Sequence, residues 1–203
     1  MPSVIRGSDL FDTNTAIGFS TNHDAATGTV TIPSGLEIGT RRLIRKIHPT
    51  QGTVTINCTG ETFTRAELAS VELNADGDYW LLEKVTATRW ELVDGWNTGE
   101  NGNGVWVRRA NGEQVCLLNT TVSQAISNSY GSLYQDTRNW DYPIAFQNPP
   151  VANVGRYRHT TSASWGTVQS ASATNATMRI LDIAIRTSGV TSVAFSATGR
   201  WYL

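Results

Sequence analysis

Three histidines, His23, His48 and His159, are the side chains of this sequence best suited to moving protons, and each stands in a separate segment. None lies beside a serine or cysteine in a pattern that marks an activated nucleophile, although a triad assembles in space rather than along the chain. Isolated histidines on polar strands are expected as surface residues. Oxygen ligands recur at Asn74, Asp76 and Asp78 around Gly77, as in the start of a calcium loop, but the twelfth position, which needs a bidentate acid, is Val85. A turn ahead of Tyr79 accounts for the same residues, and Asp9, Asp12 and Asn14 fall equally short of a metal site. No convincing pair of acids on one strand or on adjacent strands marks the cleft of a glycosidase. The expectation is a protein with no catalytic residue, no metal and no cofactor, and therefore not an enzyme.

Binding is better provided for than chemistry. Recognition of a sugar needs exposed aromatic rings, with Asn, Asp or Arg nearby for the hydroxyls. Tyr130, Tyr134, Arg138, Asn139, Trp140 and Asp141 precede a double-proline turn, and Arg156, Tyr157, Arg158, His159 and Trp165 surround the next hairpin. Trp106, Trp140, Phe146, Phe195 and Trp201 are expected in the core or at a subunit contact. Arg138, Tyr157, His159 and Trp165 are the candidate ligand-binding residues, with Thr160–Ser164 as a small polar loop between them, since loops on rigid scaffolds carry binding.

The elements that must position these residues are strands. Only 39% of the 203 residues are hydrophobic and 16% charged, and Ser, Thr, Asn and Gly make up the difference. That mixture suits pleated strands and tight turns. A net charge of −1 with scattered basic residues leaves no footprint for nucleic acid. The run Arg41–Lys46 reads as a strand with alternating solvated cations. No apolar stretch is long enough for a membrane helix, so no membrane insertion is expected, and the first residues lack the plan of a secretory signal. Work outside a cell would then follow assembly inside one and lysis. Cys58 and Cys116, far apart in β-patterned runs, are expected as buried free thiols.

Strand patterns appear at Gly28–Ile32, Leu43–His48, Val54–Cys58 and Ser70–Leu73, and Tyr79–Val85 pairs with Arg89–Val93 across Thr86-Ala87-Thr88. Thr64–Ala69 has the cap and spacing of one helical turn. The Gly- and Asn-rich stretch between Asp94 and Gly104 marks a boundary, giving domains 1–96 and 97–203. Beyond it, Val105–Arg109 and Gln114–Leu118 flank the hairpin signal Asn111-Gly112. Thr121–Gln135 reads as a long loop. Four more strands are expected at Trp140–Phe146, Val151–Arg158, Trp165–Ala171 and Met178–Ile185, the last with Leu181, Ile183 and Ile185 as its apolar face. Val190–Leu203 makes a fifth. The fold class is all-β, as two small antiparallel β-sandwich domains.

Four segments of the second domain resemble the C-terminal tip domain of tailed-phage tail fibres. They are Gly104-Val105-Trp106, Asn111-Gly112-Glu113-Gln114-Val115-Cys116, the run from Tyr142-Pro143 through Phe146 to Pro149-Pro150, and Gly199-Arg200-Trp201-Tyr202. The resemblance covers roughly residues 100–203, in order. It implies a sandwich similar to the H-type lectins, a homotrimer, and adhesion to a host surface glycan or outer-membrane protein. Loosely, Val30–Thr40 and Trp90–Val93 resemble the opening and close of small domains of phage fibres and spikes. This implies a place in the virion, with the first domain contacting other tail proteins. The alternative is a structural virion component, a baseplate or collar adaptor that binds no receptor.

Overall fold

The computed structural model describes residues 3–5, 19–64, 66–159 and 164–202. These form strands and turns without a helix, so the chain is all-β. It divides into two units, one of residues 1–99 with 107–112 and 203, the other of residues 100–106 and 113–202.

In the first unit the chain alternates between two sheets. One holds β1 (Ser3–Ile5), β2 (Phe19–His23), β4 (Arg41–Lys46), β6 (Thr62–Phe63), β8 (Tyr79–Thr86) and β9 (Arg89–Asn101), whose last two residues belong to the other unit. The facing sheet holds β3 (Gly28–Ile32), β5 (Val54–Cys58) and β7 (Ser70–Leu73). A chain that crosses to the facing sheet and back has reversed twice, so it returns parallel to its predecessor. Accordingly β2 and β4 are parallel (Thr21 opposite Ile44), as are β3 and β5 (Val30 opposite Ile56). The expected purely antiparallel sandwich is therefore corrected here to a mixed one. Turn residues mark where a strand stops, not which sheet the next one joins. The antiparallel β8–β9 hairpin forms where expected, closing with Thr86 opposite Arg89.

Between these sheets lie Val30, Ile32, Ile44, Ile56, Phe63 and Trp90, all fully buried. So are charges that the sequence pattern assigns to solvent. On β4 the inward face carries Arg42, Ile44 and Lys46, with Arg41 and Arg45 outside. Lys46 is tolerated because its ammonium donates to three backbone carbonyls, those of Ala26 (3.0 Å), Gly52 (2.5 Å) and Asn74 (2.8 Å). His23 is also buried, against the surface position expected, and burial pushes its pKa down.

Two turns differ from, or sharpen, the sequence reading. Thr64–Ala69 is no helical turn: Phe63 and Leu68 exchange backbone hydrogen bonds as an isolated bridge, and Thr64 and Glu67 adopt positive φ (61° and 54°). At Asn74–Asp78, Asp78 Oδ2 accepts the N–H groups of Asn74, Ala75 and Thr98, so the carboxylate caps backbone.

The second unit is a sandwich of two antiparallel sheets. β11 (Glu113–Ile126), β17 (Arg186–Arg200) and β14 (Val151–His159) form one in that order. β12 (Asn128–Tyr130), β13 (Leu133–Asp141), β16 (Asn175–Asp182) and β15 (Trp165–Ala171) form the other. The remaining strand, β10 (Gly104–Arg109), contributes residues to both units. The predicted loop at Thr121–Gln135 is instead the end of β11, then β12 and the start of β13. Its polar residues are ordered by backbone pairing, as in Ser123 opposite Val190. On β16 the buried face is Met178, Ile180 and Asp182, the reverse of the face expected, and Ile183 and Ile185 are exposed. Asp182 is accommodated inside by Arg186, four residues on, at 3.2 Å.

The core of this unit is aromatic. Trp140, Tyr142, Phe146, Tyr157 and Phe195 pack as a chain of edge-on and tilted rings with centroids 5.0–5.8 Å apart. Such contacts add roughly 0.5–1.5 kcal/mol per pair beyond area burial. Trp106 packs partly buried against this core and Trp201 lies edge-on to Tyr202. Both cysteines are free and buried, as read from their strands.

Candidate functional site

The four candidate ligand residues do not share a surface. Tyr157 is 2% exposed and belongs to the aromatic core; its hydroxyl has no hydrogen-bond partner among the described residues. Burial raises its pKa well above the ordinary phenol value. Its side chain packs where β15 has no Cβ, at Gly166, so the position is one of packing. His159 is 8% exposed, its backbone N–H bonded to Ser164 Oγ and its ring against Gly189. Arg138 lies opposite Met178, on the inward-facing register of β13, and is half-buried. Trp165, opposite Leu181, is the one ring of the set that reaches solvent, at 43% exposed. Of the intervening polar loop, residues 160–163 lie outside the described residues, as do Asp9, Asp12 and Asn14.

A better-formed concavity lies in the first unit. It is a pocket of about 520 Å³ lined by Val93, Asp94, Gly95, Trp96, Thr98, Val107, Arg109, Ala110 and Asn111. Its floor is built by an irregularity in the β8–β9 hairpin. Leu81 lies opposite Asp94 and Leu82 opposite Leu92, so Val93 is an extra residue, a β-bulge. Two residues on, Gly95 has φ +120°, and a Cβ there would overlap the Tyr79 carbonyl. Only glycine fits. Bulge and glycine together turn Asp94 and Trp96 to the outer face, while Ala110 N donates to Gly95 O (3.1 Å) and fixes the 107–111 wall.

The polar and aromatic parts of the pocket are held before any ligand arrives. Asp94 Oδ1 accepts Gly95 N–H (2.8 Å) and Oδ2 accepts the Tyr79 hydroxyl (3.1 Å). Burial first, then the bond to Asp94 and its charge, raise the Tyr79 pKa, so the phenol stays a donor. Trp96 stands edge-on to Tyr79, with centroids 4.5 Å apart, and keeps 42% of its surface exposed. This site was missed in the sequence because Asp94–Gly104 reads as a linker. The signal present was a tryptophan beside an aspartate, Asp94-Gly95-Trp96-Asn97, inside a run otherwise poor in apolar residues.

No group of three or more His, Cys, Asp or Glu side chains among the described residues is placed to hold a metal ion. No helix there is long and apolar enough to cross a membrane.

No family model and no curated protein matches the chain. Among solved structures it is similar to the tailspike protein gp49 from Pseudomonas phage LKA1, at 10% identity and a TM-score of 0.34 over 92% of this chain and 31% of that one. It is also similar to the Gp54 tailspike of Acinetobacter baumannii bacteriophage AP22, solved in complex with A. baumannii capsular saccharide. There the identity is 11% and the TM-score 0.30, over 97% of this chain and 41% of that one. The chain thus spans about a third to two-fifths of these proteins' lengths, and neither likeness carries an assignment of fold or function.

Proposed function

We propose that this chain is a receptor-binding component of a bacteriophage tail fibre, which adheres to a host surface glycan or outer-membrane protein and does no chemistry on it. The observation that carries the reading is how the fibre-tip-like segments meet in the second unit. Gln114 Nε2 donates to the carbonyls of Ile144 (3.1 Å) and Ala145 (3.2 Å), joining the Gln-x-Cys segment to the Tyr-Pro run. A Cβ at Gly199 would stand 2.9 Å from Phe146 and 3.0 Å from Pro150, so the Gly-Arg-Trp-Tyr segment packs on the same run. Residues that look like scattered motif positions are one another's neighbours.

On this reading the second unit is a lectin-like sandwich and the protein a homotrimer in the virion, assembled in the host cytoplasm. The first unit attaches to other tail proteins. Three-fold presentation converts weak single contacts into useful avidity.

One observation favours the structural alternative, a baseplate or collar adaptor. The burial of Tyr157 and His159 removes two of four candidate contacts from the second unit's surface. The test is adsorption of the fluorescently labelled chain to intact cells across a panel of Gram-negative strains. Binding to at least one strain, displaced by excess unlabelled chain, is expected. Absence of displaceable binding on every strain would hand the role to the adaptor. Incubation with capsular polysaccharide is expected to leave its viscosity unchanged, and a fall would restore an enzyme reading.

A further inference from the structure

We infer that the pocket in the first unit is a sugar-binding site that takes one neutral pyranose ring, with its flat C–H face on Trp96 and two adjacent hydroxyls on Asp94. This goes beyond the reading above, which places adhesion in the second unit, and stands or falls separately.

Three features carry it. The first is the ring. Tyr79 lies edge-on against Trp96 and limits its orientations, yet 42% of Trp96 remains open to solvent inside a concavity. An aromatic face in a concave site fits the alternating axial C–H groups of a pyranose. The second is the carboxylate. Each Asp94 oxygen already accepts one hydrogen bond, from Gly95 N–H and from Tyr79 OH, and an ionised carboxylate has about four acceptor sites. One lone pair per oxygen is left, and two oxygens on one carbon are spaced for a vicinal diol. The third is size: about 520 Å³ falls within the roughly 300–1,000 Å³ of small-ligand sites. Arg109 and Asn111 also line the pocket.

Other ligand classes fit less well. A phosphate or carboxylate entering beside Asp94 would meet like charge there, with Arg109 the single cation of the lining. A long apolar chain would desolvate the Asp94 carboxylate and leave its remaining lone pairs unmatched, a cost of about 1–3 kcal/mol or more for a charged group. The local backbone is consistent with a built feature, since the bulge at Val93 and the glycine at positive φ together present Asp94 and Trp96 on one outer face.

The experiment is a titration of the full chain, labelled with ¹⁵N, with glucose, galactose, mannose and N-acetylglucosamine as separate probes. The seven tryptophan indole N–H signals are followed, that of Trp96 being assigned by its loss in Trp96→Phe. With at least one probe, saturable shifts confined to the Trp96 indole and the Asn111 amide are expected, half-complete in the range of about 1–10 mM. Trp96→Ala and Asp94→Asn are each expected to weaken this at least tenfold, and Trp96→Phe to retain most of it. The remaining signals report that each variant is folded. Absence of saturable shifts with all four probes, or shifts unchanged in Trp96→Ala, would overturn the site. Cell adsorption, measured in parallel, separates the two proposals. Adsorption without sugar shifts retains the receptor reading and rejects this pocket, and sugar shifts without adsorption do the opposite.

Discussion

Glu61 and Lys84 form an ion pair with side chains 4% and 1% exposed, at 2.5 Å, deep in the first unit. The carboxylate also accepts Trp90 Nε1 (2.7 Å), Cys58 Sγ (3.2 Å) and the Gly35 N–H (3.2 Å), so its lone pairs are used. Burial alone would raise the Glu61 pKa, but the bonds from Lys84, Cys58, Trp90 and Gly35 outweigh it and hold the pKa below its ordinary 4.5. A carboxyl with a depressed folded-state pKa stabilises the fold above its unfolded value, and that stability disappears as pH falls through the folded value. The same surroundings push the Cys58 thiol up to about 12, burial first and Glu61 next, which makes it inert as a nucleophile. Glu61→Gln should therefore cost about 3–5 kcal/mol at neutral pH, by leaving Lys84 buried without its counter-ion. Denaturant melts of the two proteins should converge as pH is lowered below about 4.5. A Glu61→Leu/Lys84→Met pair should recover most of the loss. If the single variant melts like the wild type at neutral pH, the pair is not part of what holds this unit together. Gly95 gives a second residue-scale expectation. Gly95→Ala meets both a φ of +120° and the Tyr79 carbonyl, so it should lose about 2–3 kcal/mol, against about 1 kcal/mol for Gly35→Ala, which meets nothing within 4 Å.

At the scale of elements, the second unit depends on side chains that tie irregular segments to strands. Gln114 on β11 is fully buried and donates to two carbonyls of the Tyr142–Phe146 run, a stretch with no ladder of its own. Gln114→Ala is expected to cost about 1–3 kcal/mol in urea unfolding, and Gln114→Glu more, because an acceptor would then face two acceptors. Strand identity was legible wherever alternation was clean, as in Gly28–Ile32, Val54–Cys58 and the β8–β9 hairpin. It failed where a tertiary partner decided. β11 from Asn119 to Gln124 is polar at every residue but Val122 and is a strand because β17 lies beside it, with Val122 opposite Thr191. β16 carries apolar residues on both faces, and the pattern Leu181, Ile183, Ile185 points to the face opposite Asp182 as the buried one. Arg186 pairs with Asp182 across the β16–β17 connection and reverses the choice. The pocket was hidden for a related reason. A bulge at Val93 and a glycine at positive φ look in sequence like the end of a strand, where they re-aim its side chains. For Tyr157 and His159, aromatic residues beside a polar loop read as a binding edge, but the absence of a Cβ at Gly166 and Gly189 draws both inward.

At the scale of the whole molecule, the surface of the second unit bears on how many copies associate. Ile183 and Ile185 are 63% and 57% exposed, with Val190 at 55% close by in sequence. The sequence pattern marks the first two as buried, and a single chain leaves them in water. Apolar side chains whose pattern says interior but whose single-chain setting says surface are what an intersubunit contact covers. Unpatterned exposed leucines and valines are ordinary and carry no such weight. The occupant favoured by the fibre-tip resemblance is a further copy of the same chain about a three-fold axis. Light scattering coupled to size exclusion should then give three times the 22.1 kDa chain mass. Ile183→Asp with Ile185→Asp should shift it toward one chain mass while the aromatic near-ultraviolet signature of the core persists, since neither residue belongs to that core. Adsorption to cells should fall with the mass, because avidity is lost with the extra copies even where each single contact survives. A wild-type chain that elutes at one chain mass at micromolar concentration would remove the three-fold arrangement, and with it the avidity on which weak receptor contacts depend.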